Sequence, residues 1–120
     1  FKALDDLIAL GVTRVLTSGQ RESAIKGTET VKKMIEYASG RIDILPGGGI
    51  NTQNVGEFIN ETGTHSVHAS ARSLRHDTSV CGNPEIFFGG KLNGVGIPEN
   101  EYKVTNSALV QNVVAAIEAR

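Results

Sequence analysis

The residues best suited to chemistry begin with a glycine-rich turn. It reads Pro46-Gly47-Gly48-Gly49 and follows an apolar run at residues 42–45. Because glycine has no Cβ, such a turn can adopt positive φ angles and lets a ligand approach the backbone closely. Amides at the start of a following helix carry partial positive charge and can bind an anion. We therefore predict an anion-binding surface at Gly48 and Gly49. The alternative is a tight strand-to-helix turn that needs glycine for steric reasons alone.

Ser70 and Arg72 are the side chains that would complete such a site. They follow a weaker apolar run at residues 66–69. A serine hydroxyl can donate a hydrogen bond, and a guanidinium forms charge-assisted, bidentate pairs with phosphate or carboxylate. The predicted anion-binding set is therefore Gly48, Gly49, Ser70 and Arg72. For Arg72 the alternative is a salt bridge at the protein surface.

Two further polar residues lie at the ends of predicted strands, and we predict that both line the same pocket. His68 lies near the end of the third β-rich run, where it could act as a general base or a metal ligand. The alternative for His68 is an interior histidine whose hydrogen bonds are satisfied by the protein. Ser18 lies in the small polar turn that follows the first β-rich run.

The sequence shows no familiar catalytic constellation. It contains no Ser-His-Asp order, no Cys–His pairing and no close pair of carboxylates that stands out. The catalytic residues, if there are any, are therefore unknown, and the sequence favours a binding protein over an enzyme.

The composition predicts one soluble domain that spans residues 1–120. Hydrophobic residues make up 39%, enough for a core, and 12 basic against 13 acidic residues leave a formal charge of -1. This balance argues against a nucleic-acid or membrane surface. Aromatic residues are 5% with no Trp, which argues against base-stacking platforms. The lone cysteine, Cys81, cannot form an internal disulfide, so we expect a reducing, cytoplasmic location.

Helical periodicity and β-rich runs alternate along the first part of the chain. Each predicted helix ends on a glycine and leads into a short β-rich run followed by small polar residues. This alternation predicts right-handed βαβ crossovers and a parallel sheet. The predicted helices cover about residues 1–10, 28–38 and 55–62, and the strands cover residues 12–16, 42–45 and 66–69.

The second part of the chain lacks this alternation of helices and strands. The glycine-rich stretch at residues 73–104 predicts a long irregular surface segment. Thr105 or Asn106 then caps a last helix that continues through Ala119. Its helical spacing predicts that five apolar residues face inward: Leu109, Val110, Val113, Val114 and Ile117.

Three ordered motifs give the chain a family resemblance. LTSG occupies residues 16–19, PGGGI occupies residues 46–50, and HASAR occupies residues 68–72. In this order, and with EYKVTN at residues 101–106 before the last helix, they resemble the C-terminal half of the CutC family. Members of that family are called copper homeostasis proteins and fold as TIM barrels. The resemblance covers nearly the whole chain.

The resemblance implies an α/β fold in which this chain forms the last three βα units of a TIM (β/α)8 barrel. The first five strands would then lie N-terminal to Phe1. In such barrels the loops at the C-terminal strand ends build the functional face, and those after the last two strands often hold a phosphate. The resemblance therefore places the glycine turn and the segment around Ser70 on one rim, in a protein that we expect to be a homo-oligomer.

The resemblance also implies copper as the ligand, but it assigns no metal residue here. Cu(I) prefers thiolate and thioether donors, and the chain offers only Cys81 and Met34. Met34 falls on the apolar face of a predicted helix, and the family's proposed copper cysteines lie in the preceding half. The primary hypothesis is a copper-binding homeostasis protein. The alternatives are a barrel enzyme that binds a small phosphorylated or carboxylated molecule, and a structural or interaction module.

Overall fold

The architecture is α/β, with a parallel βα portion followed by an antiparallel ribbon and a last helix. A computed structural model describes residues 1–79, 91–92, 95–96, 98 and 100–120. The described elements run in the following order: α1 (Lys2–Ala9), β1 (Arg14–Thr17), α2 (Thr28–Ala38), β2 (Asp43–Pro46), α3 (Val55–Thr62), β3 (Arg72–His76), β4 (Lys91–Leu92), β5 (Val95–Gly96), β6 (Glu101–Thr105) and α4 (Ser107–Glu118).

We call the part from α1 to the segment after α3 the parallel body. Its strands β1 and β2 pair in parallel, with Leu16 opposite Leu45, as the alternation of helices and strands predicts. The predicted third strand is reduced to one parallel bridge between Gly47 and His68, in which the His68 amide donates to the Pro46 carbonyl at 2.8 Å. The parallel arrangement is confirmed, while the third strand is shorter than predicted.

The predicted helix ends are confirmed in the parallel body. α2 has the predicted bounds, and α3 ends where Gly63 adopts the left-handed conformation at a φ of 69°. The Gly63 amide donates to the Ile59 carbonyl at 2.8 Å, which satisfies one of the last carbonyls of the helix. A residue with a Cβ would be strained in this conformation, so glycine ends the helix at a defined place.

The buried residues cover one face of the parallel pair. One cluster joins α3 to α4 and to the loop before α2, and the other joins α1 and α2 to β2. On the opposite face Leu16 is 57% exposed, so the described chain leaves that face of the sheet open. The first cluster consists of Ala24, Val31, Ile50, Val55, Phe58, Ile59 and Val113, and the second of Leu4, Ala38, Ile42 and Ile44.

The prediction of an irregular segment at residues 73–104 is wrong for the described residues. β3 and β6 pair antiparallel from Arg72 opposite Thr105 to His76 opposite Glu101, and we call this pair the ribbon. β4 and β5 form a second, two-residue pair. β3 was hidden in the sequence because Leu74 is its one apolar residue, whereas β6 does alternate, with Tyr102 and Val104 between polar residues, and its pattern could have been recognised. Cys81 lies outside the described residues.

The last helix is capped at Asn106, as predicted, but its apolar surface is only partly covered. Val113 is buried, whereas Val110 is 40% and Val114 is 46% exposed. The prediction that all five apolar residues face inward is therefore wrong for these two valines. The reason is that α4 packs against α3 along one narrow edge. None of the described helices is long and apolar enough to cross a membrane.

Candidate anion-binding site

Most of the predicted site residues meet around a single cleft of about 370 Å³. Its walls are the glycine turn after β2, the segment that leads into β3, and the first half of α4. Because all three begin or end at the carboxyl end of the parallel pair, the predicted loops converge there. The lining residues are Gly48, Gly49, Ile50, Asn51, Thr52, Gln53, His68, Ala69, Ser70, Ala71, Arg72, Leu109 and Val113.

The glycine turn presents backbone donors to this cleft. Gly48 and Gly49 have φ angles of 102° and 76°, which residues with a Cβ rarely adopt. The Gly48 carbonyl accepts from the Ala24 amide at 2.9 Å, and the Gly49 carbonyl accepts from the Asn54 side chain at 3.0 Å. Within the described chain, the amides of Gly48, Gly49 and Ile50 donate to no acceptor. Unpaired amides on successive residues form a concavity suited to an anion.

The turn before α3 uses its own side chains to satisfy its amides. Asn51 Oδ1 accepts from the Gln53 amide, and Asn54 Oδ1 accepts from the Asn51 amide, both at 2.9 Å. This reciprocal pattern resembles a capping box and begins a helical turn at Asn51, whereas the regular helix begins at Val55. Because the amides of Asn51 and Gln53 are occupied in this way, they are not available to a ligand.

His68 reaches the cleft because the residue opposite it is glycine. A Cβ placed on Gly47 would lie 2.9 Å from Leu16 Cδ1 and 3.1 Å from His68 Cβ, closer than side-chain atoms normally approach. The exposed His68 imidazole therefore stands at the end of the open sheet face, on the cleft wall. It can donate or accept a hydrogen bond according to its protonation state.

Ser70 and Arg72 flank an alanine in an unusual backbone conformation. Ala71 has a φ of 42°, in the left-handed region that alanine seldom occupies. The Asn106 amide donates to the Ala71 carbonyl at 2.9 Å and so ties this residue to the start of α4. Strained residues that are held in this way concentrate at functional sites. No sequence signal marks Ala71, because the strain arises from contact with a distant element.

The charge of the described cleft wall is positive. Arg72 and His68 are its ionisable residues, and no described Asp or Glu lines it. None of the four ion pairs between described residues involves Arg72, so the alternative of a surface salt bridge finds no partner there. A wall with the Arg72 guanidinium and backbone amide donors favours an anionic ligand.

The last helix contributes apolar side chains rather than amides. Asn106 Oδ1 accepts from the amides of Ala108 at 2.9 Å and Leu109 at 3.3 Å. The first-turn donors of α4 are therefore taken by its own N-cap. Leu109 and Val113 line the cleft instead. We did not predict these two for the site, although the periodicity of the helix placed them on one face.

Ser18 lies beside the glycine turn rather than among the lining residues. Its hydroxyl donates to the Arg21 carbonyl at 2.6 Å. An ideal Cβ on Gly48 would lie 3.8 Å from Ser18 Cβ, so the two loops are in contact. The loop can fold this closely because Gly19 and Gly27 have no side chains: a Cβ on Gly27 would collide with the Ser18 carbonyl oxygen. Ser18 therefore contacts the glycine turn without lining the cleft.

A larger groove of about 530 Å³ runs between α3 and the end of α4. Glu57 and Glu61 lie along it with Arg120, whose Nε already donates to the Ile117 carbonyl at 2.8 Å. Its two described carboxylates outnumber its one guanidinium, so the groove disfavours an anion. The smaller cleft is therefore the better candidate despite its volume.

Potential copper ligands are few among the described residues. No three of their His, Cys, Asp and Glu side chains lie close enough together to hold a metal ion. Met34 packs against the cluster of α1, α2 and β2, which fits its prediction as a core residue. Cu(I) prefers soft donors, and His68 alone at the cleft is a poor match.

Comparison with known proteins gives a consistent result. The sequence model described as the CutC family matches residues 1–73. A family protein CutC from Treponema denticola is 42% identical over 116 residues, which are 97% of this chain and 46% of that protein. The human copper homeostasis protein cutC homolog is 38% identical over 113 residues, which are 94% of this chain and 40% of that protein. The chain thus spans about half the length of the curated relatives it matches.

A solved structure supports the α/β fold over part of the chain. The crystal structure of a candidate copper homeostasis protein CutC from Streptococcus agalactiae superimposes with a TM-score of 0.52 at 39% sequence identity. The match covers 56% of this chain and 33% of that chain.

Proposed function

The chain belongs to the CutC family, and from this premise we propose that the protein acts in copper homeostasis with copper as its ligand. The observation that carries the proposal is the 38% identity, over 94% of this chain, to a human protein named for copper homeostasis. We also propose that β1, β2 and the bridge at His68 are the last three strands of a (β/α)8 barrel, within one domain at residues 1–120 of a cytoplasmic homo-oligomer. Their parallel pairing and the loops at one rim support this arrangement.

The physiological test is copper tolerance. We expect cells that lack the gene to grow differently from the parent strain across a copper series, and we expect a plasmid copy of the gene to restore the parental response. A zinc series serves as the control for general metal stress. Indistinguishable growth of the two strains at every copper concentration would contradict a role in copper homeostasis.

The second test asks whether copper binds to this chain. Because the described residues supply no cluster of donors, tight Cu(I) binding here would have to use Cys81. We expect competition with a chromophoric Cu(I) chelator to show no copper retained by a Cys81→Ser variant. His68→Ala is the matched control, and it should retain whatever the unmodified chain binds. A tight site that survives Cys81→Ser would show that the donor inventory is wrong.

The cleft favours a second candidate function, the binding of a small anion. The specific observation is that the unpaired amides of Gly48 and Gly49, the Ser70 segment and Arg72 line one cavity whose described wall carries no acidic residue. A phosphate or carboxylate group would neutralise the wall and satisfy those amides. A protein of this kind could be an enzyme or a sensor for a phosphorylated or carboxylated molecule.

Titration with inorganic phosphate, followed by amide NMR, tests the second candidate. We expect the Gly48 and Gly49 amides to shift and saturate, and we expect Arg72→Gln to weaken binding roughly tenfold, the usual worth of a charge-assisted pair. Arg75→Gln is the matched control, because Arg75 lies on the ribbon and not on the cleft wall. Equal affinities for the two variants would contradict an anion site at Arg72.

A further inference from the structure

The candidate cleft has two chemically distinct halves. One half carries the unpaired amides of Gly48 and Gly49 together with Arg72, and the other is the apolar surface of Leu109 and Val113 on α4. Inorganic phosphate would use the first half and leave the second in contact with water. A cavity of about 370 Å³ is also larger than a bare anion needs, and it falls in the range of small-molecule sites.

The N-cap of α4 keeps backbone donors out of the apolar half of the cleft. In many anion sites the N-terminus of a helix supplies the donors. Here Asn106 Oδ1 occupies the amides of Ala108 and Leu109, so α4 offers the cleft no free first-turn donor from these residues. The helix presents the Leu109 side chain instead, next to Val113, which belongs to the core. A ligand with one charged end and one apolar end therefore has one favoured orientation in the cleft.

We propose that the cleft binds an amphiphilic small anion, namely a phosphate monoester or a carboxylic acid with an apolar body. The charged group lies against Gly48, Gly49 and Arg72, and the apolar body lies against Leu109 and Val113. This inference rests on the anion site proposed above and adds the class of molecule that occupies it. The positive charge of Arg72 on the described wall disfavours a cationic ligand at the same position.

The test compares probes that share one half of the ligand. Phenyl phosphate, benzoate, inorganic phosphate and phenol are each titrated into the 120-residue chain and followed by calorimetry and amide NMR. We expect phenyl phosphate or benzoate to bind at least about tenfold more tightly than inorganic phosphate. The reason is that the aromatic ring is removed from water when it packs against Leu109 and Val113. The tighter of the two identifies the charged group as phosphate or carboxylate. Phenol should bind weakly.

A matched pair of variants on α4 locates the apolar half. Leu109→Ser should weaken phenyl phosphate to about the affinity of inorganic phosphate and leave inorganic phosphate unchanged, because only the ring meets α4. Val110→Ser is the control: it makes a similar change at the neighbouring, exposed position outside the cleft wall. Leu109→Met should retain the binding of the ring, which separates loss of contact from loss of folding.

The outcomes distinguish this inference from the anion site beneath it. If both phosphate probes bind equally, and Leu109→Ser changes neither while Arg72→Gln weakens both, the anion site stands and the amphiphilic ligand is overturned. If phenol binds as tightly as phenyl phosphate, or if no probe binds, both are overturned. If Val110→Ser weakens the ring-bearing probes as much as Leu109→Ser does, the assignment of the apolar wall is overturned.

Discussion

The parallel body and the ribbon differ in how their strands are connected. In the parallel body a helix with its own period and a glycine end separates β1 from β2, so the crossover is visible in the sequence. In the ribbon no helix stands between β3 and β6 among the described residues, and their pairing places Ser73 opposite the distant residue Val104. The family model likewise covers residues 1–73 and stops as β3 begins. The two regions therefore differ in how strongly local sequence specifies them.

The largest expected difference between the regions is in side-chain burial. Phe58 is 2% exposed in the core of the parallel body, and Phe58→Ala should lower the free energy of unfolding by about 3–5 kcal/mol. Leu74 on the ribbon is 39% exposed, and Leu74→Ala should cost less than about 1 kcal/mol. Urea unfolding measures both. Equal losses would show that the ribbon is as tightly packed as the body and would remove the contrast.

A smaller effect is expected where two loops of the parallel body touch. Gly27→Ala should lower the free energy of unfolding by about 1–3 kcal/mol, because the new Cβ would collide with the Ser18 carbonyl. Gly56 in α3 is the control: its nearest neighbour to a new Cβ is 3.7 Å away, so Gly56→Ala should add about 0.5–1 kcal/mol. Thermal unfolding of the two variants measures the expected loss of stability in Gly27→Ala and the expected gain in Gly56→Ala. Unchanged stability in Gly27→Ala would contradict the close contact between residue 27 and the Ser18 carbonyl.

The smallest effect is expected at the junction between ribbon and body. Asn106→Ala removes the N-cap of α4 and the bond from Asn106 Nδ2 to Ser73 Oγ, at 3.2 Å, and should cost about 0.5–2 kcal/mol. The amides of Ala108 and Leu109 should then exchange faster with solvent. Asn112→Ala, at an exposed site within the same helix, should leave their exchange unchanged. Unchanged exchange in Asn106→Ala would show that another group caps the helix.

Much of the candidate site could be predicted because it depends on residue types at strand ends. The glycine turn, His68, Ser70 and Arg72 follow apolar runs, and parallel strands bring their carboxyl ends to one rim. The bounds of α2 and the glycine end of α3 follow from local backbone preferences in the same way. The reciprocal bonds around Asn51 could also have been predicted, since two asparagines at that spacing suit a capping box.

The rest could not be predicted because it depends on contacts between distant residues. The strained backbone of Ala71 follows from its bond to Asn106, and the close approach of Gly19 and Gly27 follows from the folding of one loop on another. The exposure of Val110 and Val114 reflects the narrow contact of α4 with α3, which periodicity cannot reveal. A helical period shows which residues share a face, but not whether anything covers it.

Because residue 47 is glycine, the His68 side chain can lie close to the end of the sheet. A single methyl group there would press on both Leu16 and His68. A substitution at residue 47, which does not line the cleft, would therefore change the position of the His68 ring on the cleft wall.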